Sequence, residues 1–242
     1  MSHEKTKGIV IKQSDFGEGD RMLSVFTEDF GIIKAVGRGA RKTKGGASSS
    51  GQFLCYGEFD FYCGGEIWNV NSFTPKESFA PLQYDIKKLS LASYFAELTF
   101  TLLDLKNVDK AMLRLLLNTL YALSYKDIDL RILKLVFEFK SLSFSGFLPR
   151  VYECILCGEK EVTAFDIKNS GTVCKECETE TSIKIEADSL SYLKFILGCE
   201  QKKMFSYPMP EQVIAELSYV SERYLKNHID KELKSLIYYK KL

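Results

Sequence analysis

Residues 8–37 read GIVIKQSDFGEGDRMLSVFTEDFGIIKAVG, three short apolar runs parted by Asp15-Phe16-Gly17-Glu18-Gly19-Asp20 and by Glu28-Asp29-Phe30-Gly31. Glycine and acidic turn formers at both breaks, with β-branched and aromatic residues between them, spell strands. Downstream, QFLCYGEFDFYC (52–63) and EIWNVNSF (66–73) add two longer runs joined at Gly64-Gly65. Five strands in so short a stretch would expose two bare edges as an open sheet. The spacing therefore predicts a small closed barrel over residues 1–80, with an OB-fold as the leading candidate.

After Pro81 the texture changes to long glycine-poor segments, which places a domain boundary near residue 80. Leu89, Ala92, Ala96, Leu98 and Leu102 mark a first helix; a second runs from Asp109, an N-cap, through Met112, Leu113, Leu116 and Leu120. A third begins near Asp129 and stops at Gly146, with Pro149 just beyond. Two more helices are expected, one over Leu190 to Leu197 and one from Pro210 to about His228. The fold class is α+β: a five-stranded OB-fold barrel, then an α-helical domain in two parts, 81–150 and 183–242, with a four-cysteine segment inserted at 151–182.

That segment carries the strongest chemical signal, C-x2-C-x16-C-x2-C at Cys154, Cys157, Cys174 and Cys177. Two residues between thiolates let both sulfurs of a knuckle reach one ion, and the sixteen between knuckles can form a hairpin that joins them. Four thiolates close a tetrahedron and leave no open position, so one structural Zn2+ is expected, although an iron ribbon uses the same ligands. A redox dithiol usually comes singly near a βαβ pattern, which is missing here. The remaining cysteines, Cys55, Cys63 and Cys199, read as small buried hydrophobes.

Between Phe30 and Gly57 lie Lys34, Arg38, Arg41, Lys42 and Lys44 with no acidic residue among them. Such a run is often only a solvated loop. Placed after a barrel strand and flanked by glycines, it can also set cations on successive phosphates. Phe16, Phe53, Tyr56, Tyr62 and Trp68 are near enough in sequence to offer stacking faces, though most are expected to fill the barrel. GARKTKGG lacks the GK[ST] ending of a nucleotide-binding loop.

The whole molecule has no strong field: 33 basic against 32 acidic side chains leave a formal charge of +1. Any affinity for a polyanion must come from local clustering. The cysteine segment is itself acidic, with seven carboxylates against three lysines, and would repel DNA. Only two histidines occur, His3 in a terminus expected to be disordered and His228 near a helix end, and no GxSxG, HExxH or dinucleotide fingerprint appears. Asp15 with Asp20, and Asp127 with Asp129, read as turn and cap residues. No catalytic residue, small-molecule substrate or membrane association is expected. The opening MSHEKTKGIVIKQ has no long apolar core, which predicts a cytoplasmic address.

GIVIKQ, the turn into RMLSVFT, IIKAVGRGARK, the GFLPRVYECILCG entry to the cysteines and the closing SERYLKNHIDKELKSL occur in an order that resembles the bacterial RecO family of recombination mediators. The resemblance spans nearly the whole chain. It implies a nucleoid-associated protein without enzymatic activity that binds single- and double-stranded DNA and anneals complementary strands. With RecR it would help load RecA onto DNA coated by single-stranded-DNA-binding protein. It also implies that Lys34, Arg38, Arg41, Lys42 and Lys44 fall where the family's barrel meets DNA. The acidic C-terminal tail of the single-stranded-DNA-binding protein would dock on the helical domain, for which Arg114, Arg131 and Lys134 are candidates. A different reading of the same residues is a protein-interaction adaptor with a structural zinc ribbon and no direct nucleic-acid binding.

Overall fold

The computed structural model of the chain describes residues 2–40 and 52–242. It divides into two compact units, residues 1–120 with 235–242, and residues 121–234.

In the first unit, β1 (Ser2–Phe16), β2 (Asp20–Thr27), β3 (Gly31–Gly37), β4 (Tyr56–Cys63) and β5 (Ile67–Glu77) form a closed barrel in the order β1-β2-β3-β5-β4. Closure comes from β1, long enough to pair with β4 through Ser2–Ile9 and with β2 through Gly8–Phe16. His3, expected in a disordered terminus, is therefore in a strand opposite Tyr62, with its ring Nδ1 3.3 Å from Asp60 Oδ1. The reason is barrel geometry: a β1 that began at Gly8 would leave most of β4 unpaired on that side.

Side-chain alternation sorts the strands into two faces. Val10, Val25 and Ile33 stand opposite one another and point inward with Leu23, Ala35, Phe59 and Phe61 to make the barrel core. Ile9, Phe26 and Ile32 form the neighbouring row on the outer face and are nonetheless buried. A bulge between Val10 and Lys12 resets the alternation, so that Ile11 is passed over and Lys12 joins the outer face.

A 3-10 turn, Ala80–Tyr84, leads to α1 (Ile86–Leu102), whose N-cap Asp85 accepts from the backbone N–H groups of Lys87 and Lys88. The segment after α1 returns to the barrel, where Lys106 N–H donates to the carbonyl of Ile32 at 3.1 Å. Only glycine fits at position 31, since a Cβ there would lie 2.3 Å from the Asn107 carbonyl oxygen and φ is +65°. Next comes α2 (Lys110–Tyr125), capped as expected by Asp109, which accepts from Met112 N–H at 2.8 Å. At the chain's end, α6 (Lys234–Tyr239) is tied to α1 by the N–H and hydroxyl of Ser235, both donating to Glu97.

In the second unit, α3 (Leu130–Phe144) is capped by Asp129 and ends before Gly146, whose φ of +91° turns the chain away. It packs with α4 (Ala187–Gly198) and α5 (Glu211–His228). The core here is continuous with the cysteine segment through Tyr224. This residue is fully buried, lies edge-on to Phe165 at 5.3 Å and donates its hydroxyl to the Phe147 carbonyl. The segment itself contributes β6 (Ala164–Asp166), β7 (Gly171–Val173) and β8 (Ser182–Lys184), ordered β7-β6-β8. Among the described residues no helix is long and apolar enough to cross a membrane.

Candidate functional site

The hairpin of β6 and β7 lies between the two CxxC knuckles and pairs Ala164 with Val173, one residue before Cys174. The first knuckle is hung on the same hairpin: Ile155 N–H donates to the Thr172 carbonyl at 2.9 Å. Within each knuckle a tight turn brings the sulfurs together, Gly158 N–H donating to Cys154 and Cys177 N–H to Cys174. All four sulfurs consequently lie within 4.8 Å of one another, and Cys157 Sγ is 3.6 Å from Cys174 Sγ. A tetrahedron with metal–sulfur bonds of about 2.3 Å requires sulfurs about 3.8 Å apart, so the set fits a single metal ion.

Electrostatics divide the thiols, pushing Cys157 and Cys177 up beside their neighbouring sulfurs and Cys154 down. Burial pushes the Cys154 thiol up, but the backbone N–H groups of Cys174, Cys157 and Leu156 outweigh it and bring it down to about 6. A sulfur poised to be a thiolate near neutral pH is prepared to bind a cation. Asp166 braces the assembly. Wholly buried, it accepts from the hydroxyls of Thr179 at 2.6 Å and Thr181 at 2.9 Å, and from Asn169 N–H at 3.0 Å. It thereby ties the chain just past Cys177 to the hairpin. Of the other cysteines, Cys55 is buried, while Cys63 and Cys199 are half-buried.

On the barrel, Lys34 stands exposed on the outer face of β3 and Arg38 is exposed immediately after it. Arg41, Lys42 and Lys44 lie outside the described residues. Strand register adds a cation that sequence reading missed: Lys12 is opposite Ser24, and Ser24 is opposite Lys34, so both lysines share one outward face. They are two strands apart, about 10 Å, and the Lys12 ammonium sits 5.0 Å over the Phe100 ring. Only the bulge at Ile11 brings Lys12 to this face, and nothing in the apolar run announces it.

Of the five aromatic residues expected mostly to fill the barrel, only Trp68 packs against its core. Trp68 packs edge-to-face on Phe30 and Phe61 inside the barrel, and Tyr56 donates its hydroxyl to Glu28. Phe53, Tyr62 and Trp68 are half-buried, and Phe16 alone of the five is exposed, at 47%.

The three basic residues assigned to partner docking are divided between the two units. Arg114 is exposed on α2 in the first unit, whereas Arg131 and Lys134 belong to the second. Arg131 grips Glu211 with both terminal nitrogens, at 2.5 and 2.7 Å, and also holds Asp129. Lys134 is only 5% exposed and lies 2.8 Å from both Glu138 and Glu222, so its charge is spent inside the fold.

Two family models match the chain. One described as "Recombination protein O N terminal" matches residues 1–79, and one described as "Recombination protein O C terminal" matches residues 83–237. The chain is 32% identical over 246 residues to a protein of Acetivibrio thermocellus named "DNA repair protein RecO", covering 100% of this chain and 98% of that protein. It is 31% identical to the protein of that name from Caldicellulosiruptor saccharolyticus, with 99% of each covered. The protein of that name from Alkaliphilus metalliredigens is 30% identical, with 94% of each covered.

Proposed function

The chain belongs to the Recombination protein O family of DNA repair proteins, and from that premise we propose that it acts without catalysis, by binding DNA. It holds single- and double-stranded DNA, anneals complementary strands and, with RecR, helps load RecA onto strands coated by single-stranded-DNA-binding protein. The observation that carries this reading is the outward pair Lys12 and Lys34, with Arg38 exposed in the turn after β3, on a barrel of a type that binds oligonucleotides. Annealing two polyanions asks for cations that screen phosphates and for loose contacts to bases. No proton transfer is needed. Because the chain's net charge is only +1, affinity has to arise from this local set.

The cysteines are proposed to hold one Zn2+ per chain as scaffolding, the ion linking the two knuckles while the barrel meets DNA. The acidic tail of the single-stranded-DNA-binding protein is proposed to dock on the helical domain, with Arg114 the candidate, since it is exposed while Arg131 is held by Glu211 and Asp129 and Lys134 is buried. The place of action is the cytoplasm, at the nucleoid.

The test is affinity for a labelled oligothymidylate as a function of salt, with strand annealing measured in parallel. Several phosphate contacts would give a slope of about −0.7 per contact in log affinity against log salt. Neutralising Lys34, Arg38, Arg41, Lys42 and Lys44 together, with the fold verified by circular dichroism, should flatten that slope and abolish annealing. An unchanged slope would move the DNA surface elsewhere. Binding that ignores salt in the unaltered protein would favour the adaptor.

A further inference from the structure

Among the described cations of the barrel proposed above, Arg38 sits in a turn, and an acidic residue governs that turn. Residues 37–40 turn the chain at the end of β3, with Ala40 N–H 3.4 Å from the Gly37 carbonyl and Ala40 only 4% exposed. Gly39 occupies the third position with φ +64°, the left-handed conformation that a type II turn requires there. The N–H of the Arg38–Gly39 peptide finds its acceptor outside the turn. Asp20 supplies one: its Oδ1 accepts from Gly39 N–H at 2.8 Å. Asp20 itself is fixed as the first residue of β2, opposite Phe16 across the β1–β2 hairpin.

We propose that Asp20 is a positioning residue of the nucleic-acid interface, fixing the peptide that aims Arg38 at a phosphate. This rests on the DNA-binding reading above and deepens it. A hydrogen bond to an ionised acceptor is about twice as strong as a neutral one. It holds the Arg38 backbone in one orientation, so less freedom is lost when the guanidinium meets a phosphate oxygen. Asp20 acts through Arg38 and touches no DNA.

The prediction runs against simple charge arithmetic. Removing a carboxylate beside a polyanion site should strengthen binding if charge were all that mattered. Positioning requires the opposite for Asp20→Ala, a three- to tenfold loss of affinity for labelled oligothymidylate at moderate salt. Asp20→Asn keeps an acceptor oxygen for Gly39 N–H and sheds the charge, so it should bind at least as tightly as the unaltered protein. Asp20→Glu keeps the charge and displaces the acceptor by one methylene, and should weaken binding even if Asp20→Ala folds poorly. The Asp20→Ala/Arg38→Ala double variant should bind like Arg38→Ala alone.

Equal strengthening by Asp20→Ala and Asp20→Asn overturns the positioning role, as does an additive loss in the double variant. If Arg38→Ala weakens binding while Asp20→Ala and Asp20→Glu do not, the positioning role fails and the DNA surface stands. If Arg38→Ala binds like the unaltered protein, the positioning role falls, and the five-residue neutralisation decides whether the DNA surface falls with it.

Discussion

The ammonium of Lys134 lies 2.8 Å from the carboxylate of Glu138, one turn further along α3, with the two side chains 7% and 0% exposed. Glu222 of α5 closes the set at 2.8 Å, and the Ser221 hydroxyl donates to the other Glu138 oxygen at 2.6 Å. Burial alone would push the Lys134 ammonium toward losing its proton, but the two carboxylates outweigh it and hold the group above its ordinary value. The network welds α3 to α5 and holds the Lys134 charge within the unit.

Removing one member of such a set strands a buried charge. Lys134→Met is expected to destabilise the protein by about 3–5 kcal/mol, read as a fall in the urea midpoint. Lys134→Met combined with Glu138→Leu should recover much of that loss. A Lys134→Met variant as stable as the unaltered chain would mean that the lysine carries no weight in the fold.

Arg131 makes an informative contrast. Its guanidinium is bidentate on Glu211, yet its side chain is 47% exposed and that of Glu211 is 71% exposed. Water and salt screen such a pair, so Arg131→Ala should cost no more than about 1 kcal/mol. A loss several times larger, measured by the same urea titration, would contradict this.

Asp166 predicts an acid limit for the cysteine segment. Burial pushes its carboxyl up, but the hydroxyl of Thr179, the N–H and side-chain amide of Asn169 and the hydroxyl of Thr181 overcome this and bring it to about 2, from 3.8. The folded state thus favours the carboxylate. Its stabilisation, about 2 kcal/mol, is complete above about pH 4 and is lost as pH falls toward 2. Asp166→Ala should remove it at every pH and leave the unfolding free energy of the variant flatter across that window. A variant whose acid profile overlays that of the unaltered protein would refute the role.

Metal removal should be local. Cys154→Ser is expected to purify without its one equivalent of zinc, measured by elemental analysis, and to lose amide protection across residues 151–184. Oligothymidylate affinity should stay within about twofold, because the proposed cations belong to the barrel. Zinc still bound at full stoichiometry would show that the four sulfurs are not the site.

Much of this was legible in the chain. Turn residues at 15–20 and 28–31 marked the strand ends, and five strands needing closure led to a barrel that the structure has. Asp109 and Asp129 cap their helices as the N-cap rule demands, each accepting a backbone N–H in the first turn. The CxxC pairs announced sulfurs that do come together. What escaped was orientation. Lys12 looked like the tail of an apolar strand until the bulge at Ile11 turned it outward, and Lys134 looked like surface until α5 covered it.

Local order along the chain is enough to determine strands, caps and knuckles, because the groups that decide them lie within a few residues of one another. Whether a lysine faces solvent or a buried glutamate, and whether Asp20 reaches Gly39 across nineteen positions, depends on which surfaces meet after the chain has folded. That choice is made by packing and strand register between distant segments, and only the tertiary structure records it.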